Sequence, residues 1–199
     1  MLAVIDYGVG NLFSVEKAFA YLGAEVIVTN SKEALEQADQ IVLPGVGAFG
    51  DCMKNLNATG LIPAIKDQIS RGKKFLGICV GLQILFESSE ESPDVEGLKI
   101  LEGKVKKIDA PGLKVPHMGW NSINARDLEV FKGLKTPYVY FVHSYHAIPR
   151  NPNLIIARAV YSKSITAAVR WKNVTATQFH PEKSGDVGLQ ILKNWIDSN

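Results

Sequence analysis

The chain has 199 residues, of which 46% are hydrophobic and 21% are charged, and its formal net charge is +2. This composition is typical of a folded globular protein and excludes a disordered or fibrous chain. The basic residues are scattered along the chain, so we expect no nucleic-acid partner. No apolar run approaches the roughly 20 residues that a membrane-spanning helix needs, so we expect no membrane partner either.

The number of cysteines indicates the compartment in which the protein works. Cys52 and Cys79 are too few for a disulfide framework and favour a reducing environment. The first residues lack the basic leader and cleavage site of a secretory signal, so we expect a cytoplasmic protein. The length suits one hydrophobic core, and we expect a single domain over residues 1–199.

In the first half of the chain, short β-branched runs alternate with amphipathic segments. We predict the following elements: strand 2–6, helix 11–22, strand 25–29, helix 32–37, strand 40–43, helix 60–71, strand 74–78 and a helix from residue 79 to about 87. This alternation is typical of a parallel α/β sheet.

From Gly97 onward the strand candidates are closely spaced, which favours antiparallel hairpins. We predict strands 101–108, 138–142, 154–160, 165–170 and 174–179, then an amphipathic helix over 187–196 that covers the sheet. The predicted fold class is therefore α/β, with a central, mostly parallel sheet flanked by helices and additional antiparallel strands in the C-terminal half.

Cys79 lies where a predicted strand meets a predicted helix, with Gly77 and Gly81 two residues to either side. This spacing is typical of a nucleophile elbow, in which glycines relieve clashes at a strained turn. The amide of Val80 is then a natural donor to an oxyanion. A buried, purely structural Cys79 explains the same spacing equally well. Cys52 lacks the glycine pattern, and we interpret it as a packing residue.

His180 emerges at the end of a predicted strand, where α/β sheets commonly place active sites. A thiol needs a base at neutral pH, and histidine supplies one. Glu182, two residues later, can orient the imidazole. A lone histidine here is more often structural, but His180 and the Cys79 turn together favour catalysis. The other histidines do not have metal-ligand spacings, so we expect neither a metal nor a cofactor.

Together, GICVGLQ around Cys79 and HPE at 180–182 resemble the class I (triad) glutamine amidotransferases, and the resemblance covers the whole chain. Further segments are similar to one branch of that family, the glutaminase subunits of imidazole glycerol phosphate synthase. These segments are IDYGVGN, PGVGAFG, PHMGWN, FVHSY and QFHPEKS.

The resemblance implies that Cys79 attacks the side-chain amide of glutamine, His180 transfers protons and Glu182 orients His180. It also implies that the amides of Val46 and Val80 bind the oxyanion. The substrate contacts that it implies are Gly47, Gln83, Glu91, Ser144 and Tyr145. For Glu91 a solvated surface charge is an equally good interpretation.

The resemblance further implies a heterodimer with a cyclase subunit, which uses the ammonia to make imidazole glycerol phosphate. The residues expected at that interface are Asn11, Met118, Trp120 and Lys183. From the residues alone, Met118 and Trp120 are more typical of a core. Three alternatives stay open, namely the glutaminase subunit of another amidotransferase, a cysteine hydrolase of a different type, and a noncatalytic module that binds anions at helix N-termini.

The PGVG segment suggests a way to regulate the enzyme. Glycines on both sides of Val46 let the peptide plane between Gly45 and Val46 rotate. We therefore hypothesise that the Val46 donor is set only when the partner is bound, and Gly45→Ala is the substitution that the sequence suggests as a test.

Overall fold

A computed structural model gives the fold of residues 1–126 and 128–198. The strands in these two ranges are β1 Leu2–Ile5, β2 Val26–Thr29, β3 Gln40–Gly45, β4 Lys74–Cys79, β5 Ser88–Ser89, β6 Gly103–Lys107, β7 His117–Ala125, β8 Tyr138–His143, β9 Tyr145–Pro149, β10 Ile155–Tyr161, β11 Lys163–Trp171 and β12 Val174–Thr177. The helices are α1 Leu12–Tyr21, α2 Lys32–Gln37, α3 Phe49–Ala58, α4 Ile62–Ser70, α5 Val80–Gln83 and α6 Gly185–Asp197. Over these ranges, no helix is both long enough and apolar enough to cross a bilayer.

The large sheet has the strand order β2-β1-β3-β4-β12-β11-β10-β7-β8. Strands β2, β1, β3, β4 and β12 are parallel, and the sheet continues through antiparallel pairs from β12 to β8. This architecture confirms the predicted fold class. The central strands β3 and β4 are buried over nearly their whole length, as expected when helices cover both faces of a parallel sheet.

A second, three-stranded sheet forms from β5, β6 and β9. A single residue, Ser144, separates β8 of the large sheet from β9 of the small one. The chain therefore changes sheets at Ser144, and its neighbours His143 and Tyr145 are held by different sheets.

Helix α6 closes the core, as its apolar spacing predicts. Ile191, Leu192 and Trp195 are buried, and the Trp195 ring meets the Phe19 ring of α1 edge to face, with centroids 5.9 Å apart. The predicted strand and helix positions agree with the structure to within about three residues for most elements, which is the usual uncertainty at element ends.

The predicted helix from residue 79 to about 87 is wrong in its length, because α5 ends at Gln83. The buried residues Ile84, Leu85 and Phe86 turn away, and their carbonyls accept bonds from the amides of residues 98–101. Tertiary hydrogen bonds therefore replace the helical ones. The prediction also missed β7 and β9, since β7 carries glycine and asparagine residues that are rare in strands.

Helix α5 packs against β3 so closely that its second residue must be glycine. A Cβ atom on Gly81 would lie 2.0 Å from the carbonyl oxygen of Leu43, which is a backbone atom with no freedom to move aside. This contact fixes the distance between β3 and the turn that ends β4.

We expect Gly81→Ala to lower the free energy of unfolding by about 3 kcal/mol or more, because the added methyl overpacks rigid backbone. Gly23→Ala is the matched control. Gly23 has φ +83 and nothing within 4 Å of an added Cβ, so only the strained backbone costs energy, about 1–2 kcal/mol. Urea unfolding of both variants measures the difference, and equal losses would contradict this account of the close approach.

Candidate active site

Cys79 is the last residue of β4 and adopts φ 56 and ψ −109, a conformation that L-residues rarely adopt. The turn requires glycine nearby, because a Cβ on Gly77 would lie 2.7 Å from the carbonyl oxygen of Gly81. A strained cysteine between a strand and a helix is the arrangement of a nucleophile elbow. The structure therefore has the turn that the glycine spacing predicts.

The helix that follows Cys79, α5, is a single turn. A four-residue helix aligns few peptide dipoles and offers only weak stabilisation to an anion at its start. The neighbouring side chains must therefore supply most of the stabilisation of a thiolate at Cys79.

His180 and Glu182 form a buried pair. The Nδ1–H of His180 donates to Oε1 of Glu182 at 2.7 Å, and the side chains are 2% and 1% exposed. The segment is anchored to β8, because the His180 amide donates to the Tyr140 carbonyl at 2.9 Å. No side chain in residues 1–126 or 128–198 hydrogen-bonds to Nε2 of His180, so this nitrogen is free to exchange a proton with a nucleophile or substrate.

The surroundings of His180 favour its charged form. Burial disfavours the imidazolium, but hydrogen bonding and negative charge from Cys79 and Glu182 outweigh it and raise the pKa of His180 to about 10. The Cys79 sulfur therefore raises the pKa of His180, although the sulfur and Nε2 of His180 do not form a well-aligned hydrogen bond in this state. Such catalytic bonds often tighten only with substrate bound.

A cavity of about 540 Å³ opens onto Cys79 and His180, a size suited to a small ligand. Most of the site residues that the resemblance implies line this cavity. The lining includes Asn11, Val46, Gly47, Val80, Gln83, Glu91, Ser144, Tyr145 and Lys183. Glu182 lies behind His180 rather than in the lining. Met118 and Trp120 lie outside it and are 62% and 56% exposed, so the alternative interpretation of them as core residues is wrong.

The Val46 loop lies beside the elbow because Gly45 pairs with Cys79 in the parallel register of β3 and β4. Cys52 supports this loop from behind, since its thiol donates to the Val46 carbonyl at 3.3 Å. Cys52 is buried as predicted, but this hydrogen bond was not foreseen. Burial raises the pKa of Cys52 to about 11, which keeps the thiol protonated as a donor.

The structure shows that Gly45→Ala is a poor test of rotation of the Gly45–Val46 peptide plane. A Cβ on Gly45 would lie 2.7 Å from the amide nitrogen of Gly81 and 2.9 Å from the Tyr7 hydroxyl. Gly45→Ala would therefore disturb the elbow itself, and it cannot report on peptide rotation alone.

Two of the predicted substrate residues make contacts that sequence reasoning did not anticipate. Oε2 of Glu91 accepts the amide of Phe49 at 2.8 Å, so one carboxylate oxygen holds the start of α3. The Nε2 group of Gln83 donates to the Tyr145 carbonyl and to Oε1 of Gln178, both at 3.1 Å. Both donor hydrogens of Gln83 are thus engaged within the protein, which leaves only its carbonyl oxygen for a ligand.

Sequence reasoning also missed a buried histidine pair at the edge of the cavity. His117 of β7 and His143 of β8 are paired in register, and their Nδ1 and Nε2 atoms are 2.9 Å apart. Burial lowers the pKa of His117 to about 4 and that of His143 to about 3, so both rings are neutral at pH 7. The pairing of β7 with β8 was the missing signal, because β7 itself was not predicted.

Comparisons with known proteins agree with this geometry. The family model for class-I glutamine amidotransferases matches residues 3–198. A protein of Methanothermobacter thermautotrophicus is 50% identical over 198 residues, covering 99% of this chain and 98% of that protein. A protein of Aquifex aeolicus is 47% identical over 195 residues, covering 96% of this chain and 94% of its own length. Both are named imidazole glycerol phosphate synthase subunit HisH.

Solved structures agree in fold at low sequence identity. A crystal structure of a glutamine amidotransferase superposes with a TM-score of 0.77 at 22% identity, covering 97% of this chain and 98% of that one. The PurLQS structure from Thermotoga maritima superposes with a TM-score of 0.74 at 18% identity, covering 98% of this chain and 97% of that one. The match of the family model over nearly the whole chain establishes the relationship: the chain belongs to the class-I glutamine amidotransferase family.

Proposed function

We propose that this chain is the glutaminase subunit of an imidazole glycerol phosphate synthase and hydrolyses glutamine at Cys79. One observation carries the proposal: a strained cysteine and the His180 of a buried His180–Glu182 pair meet at one cavity of about 540 Å³. The narrower assignment is supported by relatives at 45–50% identity over nearly the full chain, all with that synthase name.

In the first half of the reaction, the Cys79 sulfur attacks the side-chain amide carbon of glutamine and forms a tetrahedral oxyanion. Cys79 and His180 share one proton, which is on Nε2 of His180 when the sulfur attacks as a thiolate. His180 then gives this proton to the leaving nitrogen, so that the C–N bond breaks and ammonia departs. A thioester remains on Cys79. Glu182 keeps Nδ1 of His180 protonated and stabilises the imidazolium, which agrees with the raised pKa of His180.

In the second half, water attacks the thioester while His180 accepts its proton. The C–S bond breaks, glutamate is released, and the thiol regains its proton from His180. The reaction consumes only glutamine and water, and we assign no cofactor or metal to it.

The oxyanion in both halves is assigned to the amides of Val80 and Val46, because the β3–β4 register holds their segments side by side. The free oxygen of Glu91 is suited to the α-amino group of glutamine, as an opposite charge at the cavity wall. Gly47, Ser144 and Tyr145 complete the rim around the amino-acid end of the substrate.

The product requires a partner, because ammonia released to water at neutral pH becomes ammonium and loses its nucleophilicity. We assign the partner as the cyclase subunit, which makes imidazole glycerol phosphate and an aminoimidazole ribonucleotide by-product, in a cytoplasmic heterodimer. Met118 and Trp120 are large apolar residues left exposed on β7, which is typical of an interface. Asn11 and Lys183 lie at the cavity and can face the same partner.

A glutaminase subunit of another amidotransferase would have the same triad. The two assignments differ in the acceptor of the ammonia. Mixing the chain with a cyclase subunit and its phosphorylated ribonucleotide substrate, and measuring glutamate formation and ring closure together, separates them. Glutamate without ring closure would count against the histidine pathway.

We expect Cys79→Ser to lower kcat for glutamine hydrolysis by at least about 10³-fold, because the serine hydroxyl is a much weaker nucleophile in this geometry. Glu182→Gln, which keeps the size but removes the charge, should lower kcat by about 10²-fold. Cys52→Ser is the matched control, because serine retains a donor to the Val46 carbonyl. Glutamate release by the complex measures all three, and a loss confined to Cys52→Ser would contradict the assignment.

The raised pKa of His180 predicts a pH dependence of stability. The folded Cys79–His180 pair holds one proton up to about pH 10. The unfolded chain holds that proton on the Cys79 thiol and loses it above about pH 8.5. The free energy of unfolding must therefore fall as pH rises from about 8.5 to about 10. We expect wild type to lose more stability than His180→Gln in this window, as measured by urea unfolding. Parallel curves for the two proteins would show that His180 is not held in its charged form.

The exposed residues of β7 predict a partner face. Trp120→Ala should weaken binding of the cyclase subunit by about 2 kcal/mol, or roughly 30-fold in Kd, as is typical of a tryptophan at the centre of an interface. Tyr21→Ala is the control, because Tyr21 is 79% exposed at the end of α1 far from Asn11. Calorimetric titration measures both, and equal effects would place the interface elsewhere.

A further inference from the structure

A buried glutamine contacts the nucleophile directly. Nε2 of Gln178 lies 3.8 Å from the Cys79 sulfur, within reach of a hydrogen bond to sulfur, and Gln178 is fully buried. Gln178 directly follows β12 and precedes His180 by two residues, so one short segment carries both side chains. One short segment therefore brings both a proton acceptor and an amide donor to the sulfur.

The other end of the Gln178 amide is held by Gln83. Oε1 of Gln178 accepts from Nε2 of Gln83 at 3.1 Å, and the same Nε2 donates to the Tyr145 carbonyl at 3.1 Å. This pairing fixes the orientation of the Gln178 amide, since its oxygen faces a donor and its nitrogen faces the sulfur. A buried amide is costly unless its groups are paired, and here the pairs lead from the substrate rim to Cys79.

The chain of hydrogen bonds continues beyond Tyr145 to β7. The Tyr145 carbonyl also accepts from Nδ1 of His143 at 2.8 Å, and Nε2 of His143 is 2.9 Å from Nδ1 of His117. Nε2 of His117 lies 3.2 Å from Nδ2 of Asn121. Because a carbonyl only accepts, His143 must donate from Nδ1 and accept at Nε2, and His117 must do the same.

This assignment requires both imidazoles to be neutral, which burial favours. The His117 ring is further held between the rings of Phe141 and Tyr161, with centroids 4.5 and 4.2 Å away. The network is therefore fixed at its far end by aromatic packing, and donation at this end runs from Asn121 through His117 and His143 to the Tyr145 carbonyl.

We propose that Gln178 is a positioning residue for the Cys79 sulfur, and that the network from Gln178 through Gln83 and Tyr145 to His117 fixes the glutamine-binding rim relative to that sulfur. The amide N–H of Gln178 donates to the thiolate after His180 has taken the proton, which stabilises the anion and aims it. This inference rests on the proposed glutaminase function and names a group that the triad alone does not include.

The first experiment separates the donor from the rest of the network. Gln178→Glu keeps an oxygen acceptor for Gln83 but places a carboxylate oxygen where the N–H faces the sulfur, and Gln178→Met removes both contacts at similar volume. Gln68→Met is the matched control, because Gln68 is a buried glutamine of α4 outside the cavity. The readouts are kcat and KM of the complex, and the rate of iodoacetamide alkylation at pH 7 on the peptide that contains Cys79.

We expect both Gln178 variants to lose about tenfold in kcat and in the alkylation rate of Cys79, with thermal unfolding confirming that Gln178→Glu is folded. Gln68→Met should leave both rates within twofold of wild type. Alkylation and kcat within twofold of wild type in folded Gln178→Glu would overturn the proposal while leaving the function intact. If wild type releases no glutamate with any cyclase subunit, the proposed function fails instead.

The second experiment tests the far end of the network, at His117. His117→Phe keeps an aromatic ring between Phe141 and Tyr161 but cannot donate to His143. We expect KM for glutamine to rise about fivefold with kcat changed less than twofold, because the rim at Tyr145 is loosened while the sulfur retains Gln178. An unchanged KM would show that the network ends at Tyr145.

Discussion

The backbone turn at Cys79 is the constraint on which the rest of the site depends. It holds a non-glycine residue at positive φ and leaves no room for side chains at Gly77 or Gly81. The strands on either side of β4 then position everything else. Pairing with β3 brings the Val46 loop to the sulfur, and pairing of Ile78 with Thr177 of β12 brings the segment that carries His180. The parallel pairing of β4 with β3 and β12 thus brings the residues of the candidate active site together.

Sequence reasoning predicted those features that local spacing encodes. The glycines around Cys79, the two-residue step from His180 to Glu182 and the alternation of strands and helices are all short-range patterns. The features that it missed depend on contacts between distant segments. Helix α5 stops at Gln83 because residues 98–101 take up the carbonyls that follow, and His117 meets His143 only because β7 pairs with β8.

The cavity wall holds histidines in opposite protonation states, and their partners explain the difference. His180 faces a carboxylate and a sulfur that becomes an anion, so its charged form is favoured in spite of burial. His143 faces a neutral carbonyl and another imidazole, so burial keeps it uncharged. In the proposed mechanism, one proton can therefore move between Cys79 and His180 without transfer to the neighbouring neutral imidazoles.

The one-residue connection at Ser144 restricts how the gene for this chain can vary in length. Strand β9 alternates its faces with a period of two, so inserting a single codon next to Ser144 would exchange the inner and outer faces of every residue as far as Pro149. Ala147, now opposite Val105 in the interior of the small sheet, would turn toward water. We therefore expect selection to remove insertions and deletions at the Ser144 connection. The exposed turn at Gly112 and Leu113 can tolerate them.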